Sequence, residues 1–245
     1  MEEKIKESRS LSEQLGLASM VDAEQAAGLL EKTRPFARLM MQYRCAMLEI
    51  RTKLDVLNNE MSLDSEQNPF ESIECRLKSP MSILEKLERK GYPVTVESIE
   101  KNITDVAGVR VTCSFPSDIY QIAIKLACQD DLRVIESKDY IKNPKENGYR
   151  SLHLIVEVPI FLSNEKKYMK VEVQFRTIAM DFWASLEHKV RYKKKLAEGA
   201  EAIAAELKEC ADMIEEIDLK MQDIRDRIAM LKLKEKDSAA SGNEK

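Results

Sequence analysis

The chain has 245 residues, 33% of them charged, and a formal net charge of −4. That length holds one sizeable core plus an appendage, and the acidic balance excludes a dedicated duplex-DNA binder and gives no support to RNA as the main ligand. Cys45, Cys75, Cys113, Cys128 and Cys210 form no CxxC pair, which points away from structural zinc and towards free thiols in a reducing cytoplasm; no apolar run reaches the ~20 residues of a membrane span, and Met1 to Ser10 lacks a signal-peptide core, so neither a membrane nor export is expected.

Residues 1–34 are polar and weakly periodic and read as a flexible N-terminal extension. Phe36, Met40, Tyr43, Met47, Ile50, Leu54, Leu57 and Met61 then recur at steps of four and three. That spacing predicts an amphipathic helix with Pro35 in its first turn. A loop over 62–69 leads to a short strand over 70–78. Ser79-Pro80 opens a helix, with Ser79 as N-cap, and Gly91 ends it. A turn of helix over 98–102 precedes a strand over 106–115. Its near-continuous apolar run predicts a central position covered on both faces.

Pro116-Ser117-Asp118 starts the next helix, and 132–137 reads as a strand. Leu152 to Val158 alternates, 163–167 is a turn, and Tyr168 to Arg176 returns as a strand. In that strand Met169, Val171, Val173 and Phe175 share one face, with Lys170, Glu172, Gln174 and Arg176 on the other. A helix follows over 178–193. Over 200–235, Ile203, Leu207, Cys210, Ile214, Ile217, Met221, Ile224, Ile228 and Leu231 form a narrow seam between charged residues, the pattern of a coiled coil. The expected architecture is α/β (α+β): a mixed sheet of about five strands flanked by helices, with long terminal helices. The expected division is a catalytic domain over 35–195, an oligomerisation helix over 196–235 and a disordered tail over 236–245, the seams being covered by further copies of the chain.

Four polar clusters interrupt this framework. Arg76, Lys78, Ser82, Lys86 and Arg89 put cations beside the start of the helix at 80, which suits phosphate groups. Asp105 precedes the apolar strand that carries Arg110. The stretch from Lys138 to His153 holds Lys138, Lys142, Lys145, Arg150 and His153, two tyrosines, and the turns Asn143-Pro144 and Asn147-Gly148. Glu172 stands on a strand otherwise packed with Val and Phe, where an unused carboxylate is costly. Asp105 and Glu172 together suit one Mg²⁺, which takes one or two protein carboxylates plus substrate phosphates, and Glu172 is placed to accept a hydroxyl proton. These are parts of a phosphoryl- or pyrophosphoryl-transfer site. The GxxxxGK[ST], GxGxxG and HRD/DFG patterns are absent.

Arg76-Leu-Lys78-Ser-Pro-Met-Ser82-Ile-Leu-Glu-Lys86, Asp105-Val-Ala-Gly-Val-Arg110, the Lys138–His153 stretch, and Glu172-Val-Gln174-Phe-Arg176-Thr with Asp181-Phe-Trp183-Ala-Ser-Leu-Glu187-His188 resemble the synthetase domain of RelA/SpoT-type proteins. They resemble still more the stand-alone small alarmone synthetases of bacteria. The resemblance spans roughly residues 40–235 and implies a nucleotidyltransferase-like synthetase fold. It also implies transfer of pyrophosphate from ATP to the 3′-hydroxyl of GTP or GDP, giving pppGpp or ppGpp and AMP. Arg76 and Arg110 would sandwich adenine. Lys78, Ser82, Lys86 and Arg89 would hold the ATP phosphates, and Asp105 and Glu172 would bind Mg²⁺, with Glu172 also activating the hydroxyl. Tyr149 would stack on guanine, and Lys138, Lys145, His153 and Gln174 would contact the acceptor. Asp181 stands where relatives often carry Asn, and a carboxylate there can accept from the guanine edge.

The resemblance further implies a homotetramer built through terminal helices. Longer members add a hydrolase domain with a His-Asp motif. The chain has no His-Asp dipeptide, so no hydrolase activity is expected. Asp55, Asn58, Ser72 and Glu74 occupy places where some relatives carry basic and aromatic residues that bind an activating alarmone. Two other readings compete: a pyrophosphokinase acting on a tRNA 3′ end, for which Lys193-Lys194-Lys195 is the sole basic run, and a catalytically idle nucleotide- or RNA-binding regulator, against which the Asp105/Glu172 pair argues.

Overall fold

The computed structural model describes residues 23–64, 68–191 and 200–242. Residues 1–22 of the N-terminal extension and Lys193–Lys195 lie outside them. Helix α1 (Ala23–Asp64) begins well before Pro35, which sits inside it instead of in its first turn. The Ala-, Leu-, Glu- and Gln-rich run from Ala23 to Glu31 has high helix propensity, and Pro35 forfeits only one backbone bond. The chain divides at Gln42/Tyr43 into two compact units, of which the first comprises this early part of α1.

The second unit is built on a five-stranded mixed sheet, flanked by helices as expected. Its strands are β1 (Phe70–Leu77), β2 (Ala107–Cys113), β3 (Arg133–Asp139), β4 (Leu152–Phe161) and β5 (Lys166–Thr177). They lie in the order β1-β2-β5-β4-β3. β2 and β5 are parallel and the other neighbours antiparallel. The helices are α2 (Pro80–Arg89), α3 (Val96–Asn102), α4 (Pro116–Ala127), α5 (Ile178–Arg191) and α6 (Ala200–Gly242).

Side-chain parity organises this sheet. Val109 pairs with Val173, which pairs with Leu154, and Val111 pairs with Phe175, which pairs with Leu152. All six are buried, with Tyr43, Ile50 and Leu54 of α1 and Ile119, Ile122 and Leu126 of α4. Each such aliphatic burial stabilises the fold by roughly 1.5–3 kcal/mol. The other parity carries polar residues. Glu74, Arg110, Gln174, His153 and Lys138 face one another in register across all five strands. β2 is therefore central in pairing, but it is not covered along both faces. Gly108 and Arg110 remain partly open between buried Ala107, Val109 and Val111.

Local signals set the helix boundaries. The Ser79 hydroxyl accepts from the Ser82 N–H at 3.2 Å, with Pro80 at the first helical position. Gly91 closes α2 with φ of 68°, a left-handed turn that favours glycine.

α6 docks on its own unit through a stripe that overlaps one side of the apolar seam, where Ile203, Leu207, Ile214 and Ile224 are half-buried. Trp183 Nε1 donates to the Leu207 carbonyl at 2.9 Å. Arg150 reaches Asp212 at 3.1 Å and Glu215 at 2.6 Å. The Thr177 hydroxyl donates to Asp218, and Gln222 accepts from the Ser117 N–H at 2.8 Å. Arg225 pairs with Asp118 at 3.0 Å. Burial pushes the Asp218 carboxyl up, with the Thr177 hydroxyl opposing. The other side of the seam points outward: Ile217, Met221, Ile228 and Leu231 are 58%, 52%, 50% and 60% exposed. Helical backbone continues past Glu235 to Gly242, where the sequence predicts a disordered tail, because no glycine or proline interrupts 236–241.

Candidate active site

The polar face of the sheet and the turns at its edge form a cavity lined by Arg76, Lys78, Asp105, Arg110, Glu172 and Gln174, among others. Asp105 enters it from the turn between α3 and β2. The Lys78 N–H donates to the Val106 carbonyl at 2.8 Å, setting the end of β1 against that turn. Lys78 Nζ then donates to Asp105 Oδ2 at 2.6 Å, and Lys86 Nζ, from α2, lies 2.8 Å from Oδ1. Burial works to raise the Asp105 carboxyl, but the two ammonium groups overcome it and hold the group below the usual carboxylate range.

Glu172 is the second carboxylate. Gln174 Nε2 donates to its Oε2 at 2.7 Å, and His153 Nδ1 lies 3.1 Å from its Oε1. Burial again pushes upward; the hydrogen bonds from His153 and Gln174 win, so Glu172 stays ionised. An ionised carboxylate only accepts, so Nδ1 of His153 presents a proton to it. Nε2 lies 2.9 Å from the Tyr149 hydroxyl, and the Tyr149 oxygen accepts from Arg176 Nη2 at 2.6 Å. Hydrogen bonds thus link Arg176 through Tyr149 and His153 to Glu172.

The 140–151 loop brings the acceptor-side residues together. Asp139 accepts from the backbone N–H groups of Ile141 and Lys142 at 3.0 Å each and from the Tyr120 hydroxyl at 3.1 Å, pinning the loop's start. That carboxylate helps burial push the Tyr120 phenol up to about 12. Lys145 Nζ sits 4.6 Å from the centroids of both Tyr140 and Tyr149. Burial lowers its pKa. Gly148, with φ of 85°, packs against Ala211 and Lys208 of α6.

The remaining basic and hydroxyl residues singled out by the sequence have these surroundings. Arg150 is 8% exposed and committed to α6, so it anchors the loop and does not face a ligand. Lys138 lies on β3 opposite His153, with its ammonium 2.9 Å from Glu136. Ser82 sits at the start of α2, hydrogen-bonded to Ser79 at 3.0 Å. Arg89 is exposed in the last turn of α2. Arg176 and Glu74 join the site, although the sequence alone assigned neither a catalytic or substrate-binding role. Arg176 shares the parity of Glu172 and Gln174, and that alternation was the signal available for it.

Two hard oxygen donors, Asp105 and Glu172, share the cavity, and Asp105 Oδ1 is buried without a bond of hydrogen-bonding geometry. No group of three metal-ligating side chains occurs among the described residues. This donor set fits a hard cation that completes its shell with water and substrate oxygens.

Residues 75–197 match the family model described as the region found in RelA / SpoT proteins. The GTP pyrophosphokinase YwaC of Bacillus subtilis is 45% identical over 189 residues, covering 77% of this chain and 90% of that protein. The solved structure of small alarmone synthetase 1 from Bacillus subtilis bound to its product pppGpp superposes with a TM-score of 0.72 at 34% identity, covering 80% of this chain and 99% of that one. Small alarmone synthetase 2 from the same organism gives a TM-score of 0.70 at 43% identity, with 78% and 98% covered. On sequence and on fold, the chain belongs to the RelA/SpoT family and, within it, to the small alarmone synthetases.

Proposed function

We propose that the protein is a GTP pyrophosphokinase that moves the β,γ-pyrophosphate of ATP onto the 3′-hydroxyl of GTP or GDP, giving pppGpp or ppGpp and AMP. The observation that carries this reading is the meeting of Lys78, Asp105 and Glu172 at one cavity on the open face of the sheet, with Lys86 paired to Asp105. ATP lies on the β1–α2 side, its adenine between Arg76 and Arg110. Its phosphates meet Lys78, Lys86 and the start of α2 at Ser82, where backbone N–H groups and the helix dipole favour anions. Arg89, one turn beyond Lys86 and exposed, adds a further cation for the phosphates.

The acceptor lies on the loop side. Guanine stacks on Tyr149, its N1–H and N2–H₂ edge meets Asp181, and Lys138, Lys145 and Gln174 line its path. The ionised Glu172 accepts the proton of the 3′-hydroxyl as O3′ attacks Pβ. The bond between Pβ and the bridging oxygen to Pα breaks, and AMP leaves with that oxygen. His153 acts mainly through Glu172, which it orients. Asp105 and Glu172 would hold Mg²⁺, which when bound supplies charge neutralisation at the transferring phosphates. The test is incubation with ATP, GDP or GTP and Mg²⁺, with chromatography of the nucleotides. AMP and a tetra- or pentaphosphate should appear in equal amounts, and their absence would sink the proposal.

The reading extends to a cytoplasmic homotetramer. The outward stripe of Ile217, Met221, Ile228 and Leu231 on α6 is a coiled-coil surface, and a second copy is its simplest cover. Light scattering should give a tetramer, and Ile217→Glu with Met221→Glu should reduce it to a smaller species with the fold intact. An unchanged mass would show that the stripe is not buried in the assembly.

A further inference from the structure

Asp181, in the first turn of α5, stands where the two halves of the site meet. Its Oδ1 lies 3.0 Å from Nη1 of Arg176 and 3.2 Å from Nη1 of Arg110. Arg176 belongs to the acceptor side, bonded to the Tyr149 hydroxyl and lying over the Tyr149 ring. Arg110 lines the cavity that holds Lys78 and Asp105. One carboxylate oxygen thus serves a cation from each half.

The two arms are unequal. The Arg176 side chain is 8% exposed and donates to Asp181 with full hydrogen-bond geometry. The Arg110 side chain is 30% exposed, and its contact with Asp181 is an ion pair without that geometry. Its other carboxylate, Glu74, is 3.6 Å away and mostly exposed. The Nε atoms of both arginines are buried without a hydrogen-bond partner. Arg110 is therefore the arm that can leave, and neither guanidinium is fully satisfied in the present arrangement.

We propose that Asp181 couples the binding of the two nucleotides through release of Arg110. The inference rests on the reading above, in which adenine meets Arg110 and guanine meets Asp181. In the free protein, two guanidinium groups compete with the guanine edge for one carboxylate, and two carboxylates compete with adenine for one guanidinium. Whichever nucleotide binds first separates Arg110 from Asp181 and bears that cost. The second finds its partner already released and binds more tightly, and the coupling is equal in both directions by linkage. Asp181 is thereby a specificity-determining residue: a base lacking paired N–H donors cannot displace Arg110 and does not prime the ATP half.

The experiment is calorimetric titration of the protein with α,β-methylene ATP, which cannot transfer its pyrophosphate, with and without saturating GDP. The wild-type chain should bind the analogue about tenfold more tightly with GDP present. In Asp181→Asn the factor should collapse to about one. Arg110→Ala, which removes the competing arm, should bind GDP alone about tenfold more tightly than wild type, a gain no structural defect would produce. A wild-type factor of one, an unchanged factor in Asp181→Asn, or unimproved GDP binding by Arg110→Ala would overturn the coupling. Binding of both nucleotides without coupling removes this inference alone. Failure of the wild-type chain to bind either nucleotide removes the functional reading as well.

Discussion

Glu172→Gln should lower kcat for AMP release by at least about a thousandfold, the scale on which loss of a transition-state electrostatic contact acts. Its melting temperature should stay within a few degrees of wild type. The two outcomes separate because of where Glu172 sits. Its neighbours Val171 and Val173 hold the core and are untouched by the change. The carboxylate is surrounded by donors, with His153 Nδ1 at 3.1 Å and Gln174 Nε2 at 2.7 Å. An amide can accept from only one of them and must present its own N–H₂ to the other. The group also loses the charge that suits it to a cation and the lone pair that takes the hydroxyl proton. Single-turnover kinetics with saturating ATP and GDP would isolate the chemical step. Turnover within tenfold of wild type would remove Glu172 from its assigned role.

Gly148→Ala should strike the acceptor side and the fold together. A Cβ at Gly148 would lie 2.6 Å from the Ala211 Cβ, closer than real carbon atoms approach, and φ of 85° disfavours any side chain. The left-handed backbone costs about 1–2 kcal/mol, and forcing the loop off α6 costs about 1–3 kcal/mol more. Together these should lower the melting temperature by roughly 5–15 °C in a domain of this size. The loop carries Lys145 and Tyr149, so KM for GDP should rise by about tenfold or more while KM for ATP moves little, the mark of lost ground-state binding on one side. A melting temperature within a degree of wild type, or equal changes in both KM values, would contradict this account of the loop.

What the sequence made legible followed from local chemistry. Alternation in Val171-Glu172-Val173-Gln174-Phe175 announced a half-buried strand with its polar residues on one face, and Ser79-Pro80 with Gly91 bracketed α2. Contacts between distant residues were not legible. Arg150 looks like one more loop cation until Asp212 and Glu215, more than sixty residues on, claim it. The period of three and four in α6 identified an apolar stripe. It gave no sign that the helix would also dock on its own unit through the polar Asp218 and Gln222 beside that stripe, because neither carries a hydrophobic signal. The start of α1 was misplaced because proline is common in a first turn, whereas a long helix can also carry it inside.

The parity of the central strands also separates two kinds of change. Where β2 and β5 pair beside the site, Val109, Val111, Val173 and Phe175 belong to the core, and Arg110, Glu172 and Gln174 between them line the cavity. Substitutions at Arg110 or Gln174 can retune substrate preference without touching Val109, Val173 or Phe175, so this sheet can explore new acceptors at little cost in stability. The same arrangement is unforgiving of length. One residue gained or lost inside β5 would exchange the two sets, sending Glu172 into the core and Val173 into the cavity. Such a sheet can change by substitution far more readily than by insertion or deletion.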